Sequence, residues 1–121
     1  MVKALFDTNI LIDYLNGVPA AKAELDLYTD RAISIITWME VQVGTSPLEQ
    51  PQVDQFLRSF ALLSIDPPVA ARAVALRKTS KIKLPDAIIW ATAQTQSRLL
   101  VTRNSKDFSA NLPEVRVPYV I

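Results

Sequence analysis

Lys3-Ala4-Leu5-Phe6-Asp7-Thr8-Asn9-Ile10-Leu11-Ile12-Asp13-Tyr14-Leu15 changes its hydrophobic period at Asp7. The apolar run before that acid reads as a buried strand, and Ile10, Leu11, Tyr14 and Leu15 after it repeat at helical spacing. A strand that passes directly into a helix is the repeating unit of an alternating β/α chain. The pattern recurs outward along the sequence. An apolar run at 32–36 leads toward Glu40, and one at 99–101 precedes Asn104 and Asp107, while Asp86 opens the helix that feeds this last strand. Strands of such a chain run parallel, so the residues at their ends gather along one edge of the sheet. Acids far apart in sequence then converge on one pocket. Close carboxylates repel one another, and a bound cation relieves the repulsion. The chemistry this predicts is hydrolysis assisted by Mg²⁺ or Mn²⁺.

Gly17 stops the first helix, and Pro19 opens a second that runs through Leu27 or Tyr28. Residues 32–36 form the second strand, and the next stretch admits two readings. Ile33, Ile35, Thr37, Met39, Val41 and Val43 alternate with period two, as one long strand would. Thr37-Trp38-Met39-Glu40 instead has the Thr-x-x-Glu form of a capping box, which starts a helix at Trp38. Gly44 and Pro47 end the element under either reading. Pro51 opens a helix to about Phe60, and residues 61–65 read as the third strand. Asp66-Pro67 is an N-cap with Pro at the first helical position, and Val69, Ala73, Val74 and Leu76 continue that helix. Pro85 opens a long apolar helix that buries Ala87, Ile88, Ala91 and Ala93. After the strand at 99–101 come a short helical turn at 108–112 and a last strand at 115–120, broken by Pro118. Proline cannot donate to a sheet ladder, which places that strand at an edge. The alternation predicts an α/β sandwich with a mostly parallel sheet, and residues 1–121 form one domain without repeat or linker.

Composition narrows the chemistry by what it lacks. Half of the 121 residues are apolar, enough for one ample core, and the net charge of +1 is too mild to advertise a nucleic-acid binder by itself. With no His, a Ser-His-Asp triad, a paired-His ribonuclease and a His-bound metal are all excluded. With no Cys, thiol chemistry, structural zinc and disulfides are excluded, and a reducing cytoplasm is the compatible setting. Gly17 and Gly44 are the only glycines, so neither a phosphate-binding loop nor a dinucleotide fingerprint can be built. No apolar stretch approaches the roughly 20 residues that span a bilayer, and the apolar run at the start is too short for a signal peptide. A soluble, cytoplasmic protein without a membrane partner is expected.

Each acid also has a plainer reading. Asp7 can cap the helix after it, Glu40 can be the reciprocal half of the capping box, and Asp86 gains from the dipole of its helix's first turn. Asp107 can be a solvated loop charge, and Asp66 is taken as an ordinary cap. Asp13, Glu24, Asp26 and Asp30 are expected to face solvent. The constellation is stronger than its members because they recur at comparable places. Thr8, Asn9 and Thr102 can hold waters or a phosphate oxygen beside it. Arg77, Lys78, Lys81 and Lys83 form a basic run without an acid among them, a solvated face by default but placed just before Asp86. Arg103 and Lys106, interleaved with Asn104 and Asp107, are better placed for substrate. Trp38 and Trp90 sit in apolar helical stretches and are expected in the core.

At these residues the chain resembles the PIN-domain nucleases, most closely the VapC-type ribonuclease toxins of prokaryotic toxin–antitoxin pairs. The matching segments are Leu5-Phe6-Asp7-Thr8-Asn9-Ile10-Leu11-Ile12-Asp13, Ile35-Ile36-Thr37-Trp38-Met39-Glu40, Leu84-Pro85-Asp86-Ala87-Ile88-Ile89-Trp90-Ala91-Thr92-Ala93 and Leu100-Val101-Thr102-Arg103-Asn104-Ser105-Lys106-Asp107-Phe108. Each is short, but the four in this order are specific and span essentially the whole chain. The resemblance implies a three-layer sandwich, with about five mostly parallel strands between helices on both faces. It implies a Mg²⁺ or Mn²⁺ site held by Asp7, Glu40 and Asp86, and it favours a helix starting near Thr37. A fourth site residue, Asp or Asn, comes shortly after the Thr of the last motif. Asn104 matches it best, with Asp107 as the alternative, expected instead to cap the turn at Phe108. A neutral Asn leaves fewer charges to hold a second metal.

The implied reaction is hydrolysis of RNA phosphodiesters by metal-activated water. The implied partners are a small antitoxin, which lays a helix or extended segment along the toxin, and a second copy in a homodimer. Two rivals remain. A receiver-like signalling module also has an acidic Mg²⁺ pocket, with Asp66 after the third strand as phospho-acceptor, but it wants paired acids after the first strand and a Lys after the fifth. A PIN-like domain kept without toxin function or without hydrolysis is the other, against which the retained Asp7, Glu40 and Asp86 argue. A phosphatase of the Asp-x-Asp type fails because Asn9 holds the second position.

Overall fold

The computed structural model describes residues 1–121. Strands and helices come in the order β1 (Lys3–Phe6), α1 (Thr8–Leu15), α2 (Pro19–Leu25), β2 (Asp30–Ser34), α3 (Ile35–Val43), α4 (Gln50–Leu57), β3 (Ala61–Leu63), α5 (Pro67–Thr79), α6 (Leu84–Thr95), β4 (Leu99–Val101) and β5 (Val115–Arg116). The strands make one five-stranded sheet in the order β3-β2-β1-β4-β5, with every neighbouring pair parallel. β1 lies at its centre, so Asp7 leaves the sheet between β2 and β4.

The two-residue period of the strands sorts the core into two layers. Ala4, Phe6, Ile33 and Val101 face one way, against Ile10 and Leu11 of α1, Leu25 of α2, Val41 of α3 and Val53 and Leu57 of α4. Leu5 and Leu100 face the other way, against Val69, Ala73 and Leu76 of α5 and Ala87, Ile89, Ala91 and Ala93 of α6. Helices therefore cover both faces of the sheet. The expected α/β sandwich is found, with a sheet that is parallel throughout.

Several boundaries differ from the sequence reading. β2 ends at Ser34, whose hydroxyl accepts the Ile36 backbone N–H at 3.1 Å and caps α3. Thr37 then lies inside the helix, so the capping box does not form and the alternating run to Val43 is helical. Asp66 caps α5 as expected, accepting from the Val69 N–H at 3.0 Å with Pro67 at the first helical position. α4 ends at Leu57 before Phe60, and β3 ends at Leu63 before Ile65. Residues 108–112 form turns and no helix, and the last strand shrinks to Val115–Arg116, at the sheet edge as expected.

Burial also corrects the acids. Asp13 and Glu24 are buried, because each meets an arginine from the far end of the chain. Arg103 Nε donates to Asp13 Oδ2 at 2.7 Å, and Arg116 Nε donates to Glu24 Oε2 at 2.6 Å. Asp30 is half-buried and paired with Arg98 at 2.8 Å, while Asp26 is exposed beside Lys22. Trp38 is on the surface, not in the core. Trp90 is half-buried, edge-on to Phe108 with ring centroids 5.6 Å apart.

Candidate active site

Asp7 is fixed from three directions. Its backbone N–H donates to the Val101 carbonyl at 2.9 Å, which ties the end of β1 to β4. Its carboxylate caps α1, accepting the Thr8 N–H on Oδ1 at 2.7 Å. Oδ2 accepts from the Thr102 hydroxyl at 2.8 Å and from Asn9 Nδ2 at 3.3 Å. The capping reading is therefore true, and it does not exhaust the residue. Burial pushes the carboxyl from 3.8 to about 6, opposed by the bonds from Thr102 and Thr8 and reinforced by the charges of Asp86 and Glu40.

Glu40 comes from the middle of α3 and is exposed. The Thr8 hydroxyl donates to its Oε1 at 2.6 Å and lies 3.0 Å from the Thr37 hydroxyl. Thr8, next to Asp7 in the chain, thereby tethers Glu40. Asp86 stands in the first turn of α6, half-buried, where the helix dipole favours a negative charge. Its pKa is nonetheless raised, first by burial and then by the charges of Asp107 and Glu40, with Lys83 opposing. Acids that come after β1, β2 and β4 thus reach a shared field with the acid that opens α6.

The turn that Asp107 is expected to cap is held by Asn104 instead, and the two side chains are paired. Asn104 Oδ1 accepts the Asp107 backbone N–H at 3.2 Å, and Asn104 Nδ2 donates to Asp107 Oδ2 at 2.9 Å. Asn104 makes the turn, and the Asp107 carboxylate carries the charge that Asp86 feels. The backbone N–H of Asn104 in turn donates to Thr102 Oγ1 at 3.0 Å. Thr8, Asn9 and Thr102 therefore hold the acids rather than open solvent.

The basic candidates divide. The Arg103 guanidinium turns away to Asp13 and does not reach the acids. Lys106 is exposed on the turn after β4. Arg77 and Lys78 end α5, Lys81 comes next with φ +40, and Lys83 precedes α6 close enough to affect Asp86. All four are exposed and none forms an ion pair. Thr37, read in the sequence as a helix cap, and Asp13, read as a solvent charge, join the site's surroundings. Asp13 is legible in principle, since it lies four residues after Asn9 on the same face of α1.

The donor set suits a hard cation. It offers carboxylate, hydroxyl and amide oxygens only, with a buried carboxylate whose ionisation its surroundings oppose. As they stand, no three acids lie close enough to enclose an ion. Glu40 is held by Thr8 and Asp107 by Asn104. A donor set without His or Cys suits Mg²⁺ better than Zn²⁺, and Mg²⁺ takes one or two carboxylates while keeping several waters. The acids line an open edge. The largest concavity, about 550 Å³, lies elsewhere, against Arg72, Gln94, Arg98 and Glu114.

The PIN domain family model matches residues 4–111. Among solved structures, a toxin-antitoxin complex from Klebsiella pneumoniae has a chain 50% identical to this one, with a TM-score of 0.91 over 98% of this chain and 100% of that one. DNA-bound VapBC from Salmonella typhimurium is 25% identical, with a TM-score of 0.81 over 96% of each chain. FitAcB from Neisseria gonorrhoeae is 28% identical, with a TM-score of 0.81 over 98% of this chain and 99% of that one. No curated protein sequence matches the chain.

Proposed function

The chain belongs to the PIN domain family, and from that membership we propose that it is a metal-dependent endoribonuclease and the toxin of a prokaryotic type II toxin–antitoxin pair. The observation that carries the nuclease reading is Asp7, buried at the end of the central strand within the field of Asp86 and Glu40. The likeness to a chain of a toxin-antitoxin complex over its full length supports the toxin reading.

Asp7, Glu40 and Asp86 would hold Mg²⁺ or Mn²⁺, with Asp107 beside them. When bound, the cation supplies the neutralisation of charge on the phosphoryl oxygens and a water acidic enough to attack at neutral pH. The chain's own part is to keep that group in place. Thr102 and Asn9 orient one oxygen of Asp7, Thr8 holds Glu40, and Asn104 holds Asp107. Lys83, which acts on Asp86, would with the exposed Arg77, Lys78, Lys81 and Lys106 contact RNA phosphates. No imidazole is present to activate a 2′-hydroxyl, so water is the nucleophile and the products carry 5′-phosphate and 3′-hydroxyl ends.

A small antitoxin and a second copy of the chain are the partners in this reading. The exposed apolar side chains Trp38, Met39, Val43 and Leu62 are surface that such partners would cover. The setting is the cytoplasm, where the RNA is; no helix is long and apolar enough to cross a membrane. The test is to incubate the purified chain with RNA in Mg²⁺ or Mn²⁺, with and without excess EDTA, and to map the product ends. Cleavage that EDTA stops and that leaves 5′-phosphates supports the reading; 2′,3′-cyclic phosphate as the main product contradicts it. For the toxin role, co-expression of a small open reading frame immediately upstream should relieve growth arrest.

A further inference from the structure

One face of α1 grips Arg103 at two heights. Asn9 Oδ1 accepts the Arg103 backbone N–H at 3.1 Å. One turn further along the helix, Asp13 takes the guanidinium in a fork, with Nε on Oδ2 at 2.7 Å and Nη2 on Oδ1 at 3.2 Å. The Asp13 side chain is only 7% exposed, and its Oδ2 also accepts the Tyr119 hydroxyl at 2.8 Å. A buried carboxylate is thus met by the planar fork of an arginine, a geometry that lysine does not reproduce.

What this fork anchors is the segment that orients Asp7. Arg103 stands between Thr102, whose hydroxyl donates to Asp7 Oδ2, and Asn104, whose amide holds Asp107. Asn9 donates to that same oxygen of Asp7. Both side-chain bonds that fix Asp7 Oδ2 therefore involve residues bonded to or adjoining Arg103. The geometry points to Arg103 and Asp13 as positioning residues: their ion pair, braced by Tyr119, clamps the Thr102-Arg103-Asn104 segment to α1 and thereby sets the direction of the Asp7 carboxylate and the seat of Asp107. This inference rests on the reading of Asp7 as a metal ligand. It removes Arg103 from the phosphate contacts, because its donors are turned to Asp13.

The experiment is a titration of Mn²⁺ alone into the full chain, monitored by calorimetry, for the wild type, Arg103→Ala, Arg103→Lys, Asp13→Asn and the Arg103→Ala/Asp13→Asn double variant. Each is measured well below its own melting midpoint. Arg103→Ala and Asp13→Asn should each weaken Mn²⁺ binding by about tenfold or more, with Arg103→Lys between them and the wild type. The double variant should bind no more weakly than the singles, since both remove one interaction. On RNA, kcat should fall while KM and the salt dependence of binding stay put. Unchanged Mn²⁺ affinity in both folded single variants overturns the inference. So does a salt dependence for Arg103→Ala alone that is shallower by about one phosphate, which marks direct binding of RNA by that side chain. If the wild type binds no Mn²⁺, the metal reading itself fails. The clamp is then decided by amide hydrogen exchange, where faster exchange at Arg103 and Asn104 in Asp13→Asn supports it and unchanged exchange overturns it.

Discussion

Asn104 holds Asp107 at both ends of its amide, donating to the carboxylate at 2.9 Å and accepting the backbone N–H at 3.2 Å. The amide oxygen already accepts the turn's N–H, and on that ground we propose Asp107 as the fourth ligand with Asn104 as its support. Asp107→Ala should weaken Mn²⁺ binding and turnover about tenfold or more, with little change in melting. Asn104→Ala should cost about 1 kcal/mol of stability from the missing bonds and affect Mn²⁺ less. Calorimetry with Mn²⁺ and thermal melts of both variants check this. The reverse order of Mn²⁺ affinities would return the ligand role to the Asn104 amide.

The raised pKa of Asp7 makes stability of the metal-free protein depend on pH. The folded carboxyl titrates at about 6 against an ordinary 3.8. A raised pKa means the protonated form is favoured by folding, so the contribution is complete below about 3.8 and is lost as pH rises through about 6. Above that the ionised carboxylate is a cost, and Asp7→Asn should raise metal-free stability by up to about 3 kcal/mol at neutral pH. Melts of wild type and variant from acidic to neutral pH should diverge across this window. Parallel melting curves would show that the site does not oppose the Asp7 charge. Mn²⁺ affinity of the wild type should also strengthen as pH rises through the same range.

Thr8 ties Glu40 to the helix that Asp7 caps, through a 2.6 Å bond. Thr8→Val keeps the shape and removes the bond. Turnover should drop about tenfold while stability changes by about 1 kcal/mol or less, and Thr8→Ser should restore turnover. Steady-state cleavage assays decide; equal rates in the wild type and Thr8→Val would leave Glu40 without need of its tether.

The exposed run of Arg77, Lys78, Lys81 and Lys83 forms no ion pair. If these cations track the RNA backbone, changing all four to Gln should flatten the salt dependence of binding by about 0.7 for each phosphate no longer neutralised. Fluorescence titrations of single-stranded RNA at several salt concentrations measure the slope. An unchanged slope would make the run a solvated face only.

Most of the fold and the acid set are legible in the sequence because both arise from local signals: a change of period at Asp7, a cap at Asp66, a proline opening α6. The features that local signals miss have long-range causes. Asp13 and Glu24 look like solvent charges in any local window, because Arg103 and Arg116 stand 90 and 92 residues away. The run from Ile33 to Val43 imitates a strand because α3 packs on more than one side: Ile36 belongs to one core layer and Val41 to the other. The Ser34 cap, not the Thr37 pattern, decides its start. The turn at Asn104 is ambiguous in sequence because Asn and Asp three residues apart can each cap the other's segment, and only the geometry chooses between them.

Asp7 and Asp86 are proposed above all as the pair that holds the cation for RNA hydrolysis. Single-turnover cleavage of RNA in Mn²⁺ by wild type, Asp7→Asn and Asp86→Asn, with melting curves for each, puts that role to the sharpest test. The expected outcome is cleavage by the wild type, cleavage abolished by EDTA, and no cleavage by either variant, each variant melting no lower than the wild type. Cleavage at the wild-type rate by either folded variant, or cleavage that persists in excess EDTA, would contradict it.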